Sequence, residues 1–124
     1  YVAFSSNSDI GVEVNAQLLD MNLDLIAEAS YYTLTAWELS PIGSGHFVRL
    51  CFGLPVQLTA GSDYLVLIQH FGGANLLVAT SGLSEPMSSM LYSSSDSTWY
   101  SISSTPMIRM SLEYAKDCFW GSMK

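Results

Sequence analysis

Alternation of apolar and polar residues constrains this chain more than any other feature. In GVEVNAQLLD, Val12, Val14, Ala16 and Leu18 alternate with Glu13, Asn15 and Gln17. A period of two places one set on each side of an extended strand, so the segment predicts a strand with a buried face and a wet one. The pattern recurs. SYYTLTAWEL sets Tyr32, Leu34 and Ala36 against Tyr31, Thr33 and Thr35, and HFVRLCFGLPVQL carries Val48, Leu50, Phe52, Leu54 and Val56 on one side. Pro55 breaks that run or places it at a sheet edge.

The stretch LTAGSDYLVLIQHFGG begins with a turn. Gly61 suits a positive φ there, and Ser62 and Asp63 can bond the nearby backbone. The run from Tyr64 to His70 that follows is apolar on both faces, which predicts a central strand covered on both sides. Gly72 and Gly73 then predict a hairpin into NLLVATSG. MSSMLYSSSDSTWYSI reads as strand, serine loop, strand. PMIRMSLEY supplies a last strand, with Ile108, Met110 and Leu112 inward and Arg109, Ser111 and Glu113 outward. MNLDLIAEAS has a weak helical alternative capped by Asn22, but strand or loop is the preferred reading. The sum is an all-β fold: an antiparallel β-sandwich, jelly-roll-like, with about seven to nine strands. One domain is expected over residues 1–114, with 115–124 as a C-terminal extension.

Composition narrows the function. Eleven acids face four basic residues (Arg49, Arg109, Lys116 and Lys124), for a net charge of −7. Too few cations are present to displace counterions from nucleic acid or to dock on anionic lipid. No apolar run approaches the length of a membrane span, so no membrane insertion is expected. Polarity comes from serine tracts (SSNS, MSSM, YSSSDS, SISS), a composition common outside the cell. The chain starts without an initiator methionine or a basic-then-apolar leader, and reads as a mature product or an excised piece of a longer protein. Two cysteines, Cys51 and Cys118, leave two readings open. A disulfide between them would close a long loop, worth about 4 kcal/mol by chain entropy; the alternative is a pair of thiols.

Taken together in this order, PVQLTAGSDYLVLIQHFGG, ATSG, STWYSI and PMIRM resemble β-sandwich modules of large secreted and surface proteins of Bacteroidetes-type bacteria, many of them exported by type IX secretion. The resemblance runs from Pro55 to Met110, more loosely from Gly11 to Phe52. It implies a jelly-roll-like, non-catalytic module beside other domains and brings no catalytic residues.

Chemistry is sparse. Neither His46, in GSGH, nor His70, at a strand end, sits in a nucleophile-elbow pattern, so a small hydrolase is the weakest of three readings. Asp20, Asn22 and Asp24 alternate in DMNLD, as ligands do in calcium loops, but the loop glycine and terminal glutamate are missing; solvated turn aspartates are the simpler account. Trp37, Trp99, Tyr100 and Tyr31 are candidates for stacking on sugar rings, against the plainer role of packing. Trp99 and Tyr100 are adjacent, so a strand sends them to opposite faces. Arg49 and Arg109 are expected to pair with nearby carboxylates. The leading expectation is a structural or adhesive module that is secreted or on the cell surface and contacts neighbouring domains or other protein chains. A carbohydrate-binding module for polysaccharide is the alternative. No cofactor is expected, calcium being the one candidate.

Overall fold

The computed structural model describes residues 1–39, 46–53, 56–71 and 75–110. Among these residues there is no helix, and every strand pairing is antiparallel. Eight strands are present: β1 (Glu13–Asp20), β2 (Leu25–Glu28), β3 (Tyr32–Thr33), β4 (Tyr64–Phe71), β5 (Thr80–Leu83), β6 (Met90–Ser93), β7 (Thr98–Ser101) and β8 (Ser104–Pro106). The all-β expectation therefore holds. The segment MNLDLIAEAS supplies β2, as the preferred reading had it.

The centre of the main sheet is β1. It pairs along its whole length with β4, from Glu13 opposite Phe71 to Asp20 opposite Tyr64. On its other side it pairs with β3 near its start and β2 near its end. This corrects two expectations. The central strand is β1, not β4; β4 is half-buried through Gln69 and is paired, among the described residues, only with β1. Nor is the polar side of β1 wet along its length: Glu13 is exposed, but Asn15 is fully buried and Gln17 half-buried. Period two identified the strand but could not say what covers its polar side.

A second extended layer lies across the inner face of this sheet, built around residues 1–5, which sequence patterning had left unassigned. Val2 and Val48 exchange backbone hydrogen bonds of 2.9 and 2.8 Å. On the opposite side, Ala3 N–H donates to the Met107 carbonyl (3.0 Å), Ser5 N–H to Leu77 (2.7 Å) and Arg109 N–H to Tyr1 (2.7 Å). Isolated bridges join Val2 to Val48 and Ile108, and Phe4 to Val78. Satisfying the buried backbone this way lets Val2 and Phe4 sink into the core without orphaned donors. The core joins Val2, Phe4 and Val48 of this layer to Val14 of β1 and to Val12, Leu34 and Leu39 beside the sheet.

Several predicted strands are shorter than the alternation suggested. HFVRLCF contributes only the bridges at Val48 and Phe52, and SYYTLTAWEL turns at residues 36–39 after two paired residues. NLLVATSG does not return along β4: Val78 bridges Phe4 and β5 pairs with β8. Gly61 does take a positive φ, 81°. In the same turn the Tyr64 hydroxyl accepts a 2.8 Å hydrogen bond from Thr59 N–H.

β5 and β8 form one two-stranded ribbon, β6 and β7 another. They run into each other through Ser84 N–H to Ser103 O (2.8 Å) and Ile102 N–H to Ser89 O (2.9 Å). Residues 85–88 are looped out between them, with Met87 at φ 64°. The predicted serine loop is the turn at residues 94–97, where Ser93 and Ser95 hydroxyls lie 2.9 Å apart and Ser97 has φ 53°. Gly72, Gly73, Leu54, Pro55, Ser44, Ser111, Leu112, Glu113 and the extension at 115–124 lie outside the described residues.

Candidate functional site

Aromatic side chains stand at three places on the surface. The first is the outer face of the main sheet. Tyr32 turns inward against the core, so Tyr31 turns outward by alternation. Its ring meets Phe71 edge-on, with centroids 5.3 Å apart and planes at 82°. Tyr31 stands beside β3 and Phe71 ends β4, on opposite sides of β1. Strands repeat at about 4.8 Å, so the two rings can touch only by reaching across β1. Reaching across β1 there, they form a roof on the face of the strand that carries Asn15, which is fully buried. Beneath the roof the Asn15 amide N–H donates to Glu28 Oε1 at 2.6 Å, while its Oδ1 is buried with no hydrogen-bond partner. Gln69, opposite Asn15, and Gln17, opposite Glu28, add further amides to this face. Sequence reasoning named Tyr31; it had no signal that would join it to Phe71 or Asn15.

The second place is the turn after Leu34. Trp37 is 62% exposed and stacks on His46, centroids 4.1 Å apart at 16°. His46 Nδ1–H donates to the Trp37 carbonyl at 2.9 Å. Behind them Glu38 is buried. Its carboxylate accepts from the Tyr32 hydroxyl, the Thr35 hydroxyl and, at 2.7 Å, Thr35 N–H. Burial alone would raise the Glu38 carboxyl; the hydrogen bonds from Thr35 and Tyr32 more than offset this and hold it below the usual carboxylate range. The Tyr32 phenol is pushed up to about 12, chiefly because it donates to Glu38, with burial and the carboxylate charge adding to the effect. This cluster fastens the turn that carries Trp37.

The third place is the β6–β7 hairpin. Tyr92 lies opposite Trp99 and Leu91 opposite Tyr100, so Trp99 and Tyr100 do face opposite ways. Neither joins the core. Trp99 is half-buried against the Tyr92 ring, 5.0 Å between centroids, and Tyr100 is exposed with its hydroxyl donating to Asp96. Leu83 (89% exposed), Met87, Leu91 and Tyr92 are also exposed, and the two ribbons pack on no other strand among the described residues.

Asp20, Asn22 and Asp24 form the β1–β2 turn. Asp20 Oδ1 accepts from Asn22 N–H (2.8 Å) and Asp24 N–H (3.0 Å), an Asx turn that also seats Leu23 at φ 67°. Among the described residues no group of three or more His, Cys, Asp or Glu side chains is placed to hold a metal. Cys51 is disulfide-bonded, and Cys118, the other cysteine of the sequence, lies outside the described residues. His70 is exposed near the end of β4, opposite Val14. No helix among the described residues is long and apolar enough to cross a membrane.

Arg49 and Arg109 depart from expectation. Instead of pairing with carboxylates on separate strands, both line one cleft between the two layers, and Arg109 lies over the Phe47 ring, 4.1 Å from its centroid. Compared with known proteins, the chain matches no family model, no curated sequence and no solved structure.

Proposed function

We propose that the chain is a non-catalytic structural or adhesive module of an extracellular bacterial protein, a β-sandwich that works by contact with another protein chain. The observation that carries this reading is the double ribbon of β5, β8, β6 and β7. A two-stranded ribbon standing alone is marginal in water. This one displays Leu83, Leu91, Tyr92 and Tyr100 on a segment with little charge. Unpaired strand edges and exposed apolar side chains together favour strand addition or packing by a protein partner. The disulfide at Cys51 and the serine-rich, lysine-poor composition support an oxidising, extracellular setting.

A photoreactive side chain placed at Leu91, with Asn7 as a control position, tests the reading in the parent protein and in mixtures of copies. Adducts that map to one defined protein surface, and only from position 91, are the expected result. Equal yields from both positions would remove the reading.

A second reading, binding of polysaccharide, is favoured by the outer face of the main sheet. There the Tyr31–Phe71 pair, Gln17, Gln69 and Glu28 combine an aromatic surface with groups that bond hydroxyls. A glycan array separates the two readings: retention abolished by Tyr31→Ala and indifferent to Leu91→Ser would select the sugar reading.

A further inference from the structure

We infer that the cleft between the two layers binds a small organic anion: a carboxylate carried on a short apolar body. The cavity is about 90 Å³. Its walls come from both layers, with Ala16 and Ile68 from the sheet and Leu50 and Ile108 from the layer built on residues 1–5. Intrachain packing leaves Leu50, Ile68 and Ile108 only half-buried, so an apolar occupant would complete their burial.

The charge at this cleft is what selects the ligand. The sequence holds four basic residues and eleven acids, so any arginine has an excess of carboxylates available to it. Two of the four nevertheless line the same apolar cleft, and neither forms an ion pair among the described residues. The Arg109 guanidinium carbon sits over the Phe47 ring, 4.1 Å from its centroid, and a guanidinium held on a ring keeps N–H groups that can meet a planar acceptor. Both backbones are pinned where they stand: Arg109 N–H donates to the Tyr1 carbonyl, and Val48, next to Arg49, is bonded in both directions to Val2. Arginine forks match carboxylate geometry, and a fork held by its backbone and a stacked ring loses little freedom on binding.

Size sets the rest. A cavity of about 90 Å³ equals roughly three waters' share of liquid volume, the scale of a four-carbon chain and far below a lipid tail. Butyrate is therefore the probe. Butylammonium carries the same body with the opposite charge, and inorganic phosphate carries charge without the body.

Methyl and backbone NMR titration of the full chain reads the outcome. Butyrate is expected to saturate shifts at Ile68 and Ile108 in the millimolar range, with butylammonium and phosphate producing none there. Arg49→Gln or Arg109→Gln should each weaken butyrate roughly tenfold, the usual consequence of losing one charge-assisted pair. Arg→Lys at either position should restore part of that loss. Ile68→Phe, which fills the cleft, should abolish binding in a protein whose amide spectrum shows it folded. No saturable shifts with butyrate overturns the inference. So does equal response to butylammonium, or unchanged affinity in both arginine variants. The site is independent of the ribbon, so Leu91→Ser must leave butyrate binding intact.

Discussion

Removing the Tyr32–Glu38 hydrogen bond tests how the turn that carries Trp37 is held. Glu38 is buried and serves three donors, from Tyr32 and Thr35. Lifting a phenol from 10.0 to about 12 corresponds to about 2.7 kcal/mol, at about 1.36 kcal/mol per decade of proton affinity. Solvent screening at half-buried Tyr32 reduces this to about 1–1.5 kcal/mol. Urea denaturation of the wild type, Tyr32→Phe, Glu38→Gln and the double variant should give a coupling energy of that size at pH 7. The pH dependence has two limbs. The folded Glu38 carboxyl lies below its unfolded value, so its contribution is present above about pH 4.3 and fades as pH falls through the folded value. The folded Tyr32 phenol lies above its unfolded value, so its contribution is present below about pH 10 and is lost as pH rises through about 12. Glu38→Gln should flatten both limbs. A coupling energy under about 0.3 kcal/mol, or an alkaline limb unchanged in Glu38→Gln, would refute this account of the turn.

Other outcomes follow from single residues. Phe4→Ala should cost about 3–5 kcal/mol, because its ring is buried in the core cluster; calorimetry checks it. Leu23→Gly should stabilise by about 1 kcal/mol, since a left-handed φ of 67° strains a side chain that is itself exposed; a rise in melting temperature is the readout. Asn15→Asp should destabilise by at least about 2 kcal/mol at pH 7 and recover in acid, because a second carboxylate would lie against Glu28 under the aromatic roof.

What the sequence shows and what it conceals follow one physical line. Alternation in GVEVNAQLLD marked β1 because the pleat imposes a period of two whatever the neighbours are. Alternation in HFVRLCF was equally good, yet produced only two bridges, because pairing depends on which chain lies alongside and no local pattern carries that. Residues 1–5 show the converse: a short, irregular segment became the middle of a layer through contacts with residues near 48, 78 and 108, all distant in sequence. The candidate sites share this limit. Tyr31, Trp37, Trp99 and Tyr100 stood out by residue type, whereas Asn15 beneath the Tyr31–Phe71 roof, and the meeting of Arg49 with Arg109 across 60 positions, exist only once the layers are stacked. DMNLD was legible as a turn. Its aspartates alternate because Asp20 caps the backbone of the residues that follow, which suffices without a metal ligand role.

The central claim is that the apolar side chains of the double ribbon belong to a partner and not to the core of this chain. Thermal unfolding of the Leu83→Ser, Leu91→Ser double variant tests it most directly. Both side chains are exposed, so the account predicts a change of at most about 1 kcal/mol, a shift within about 4 °C. A fall of more than about 10 °C would show that these leucines hold the domain together, and would contradict the claim.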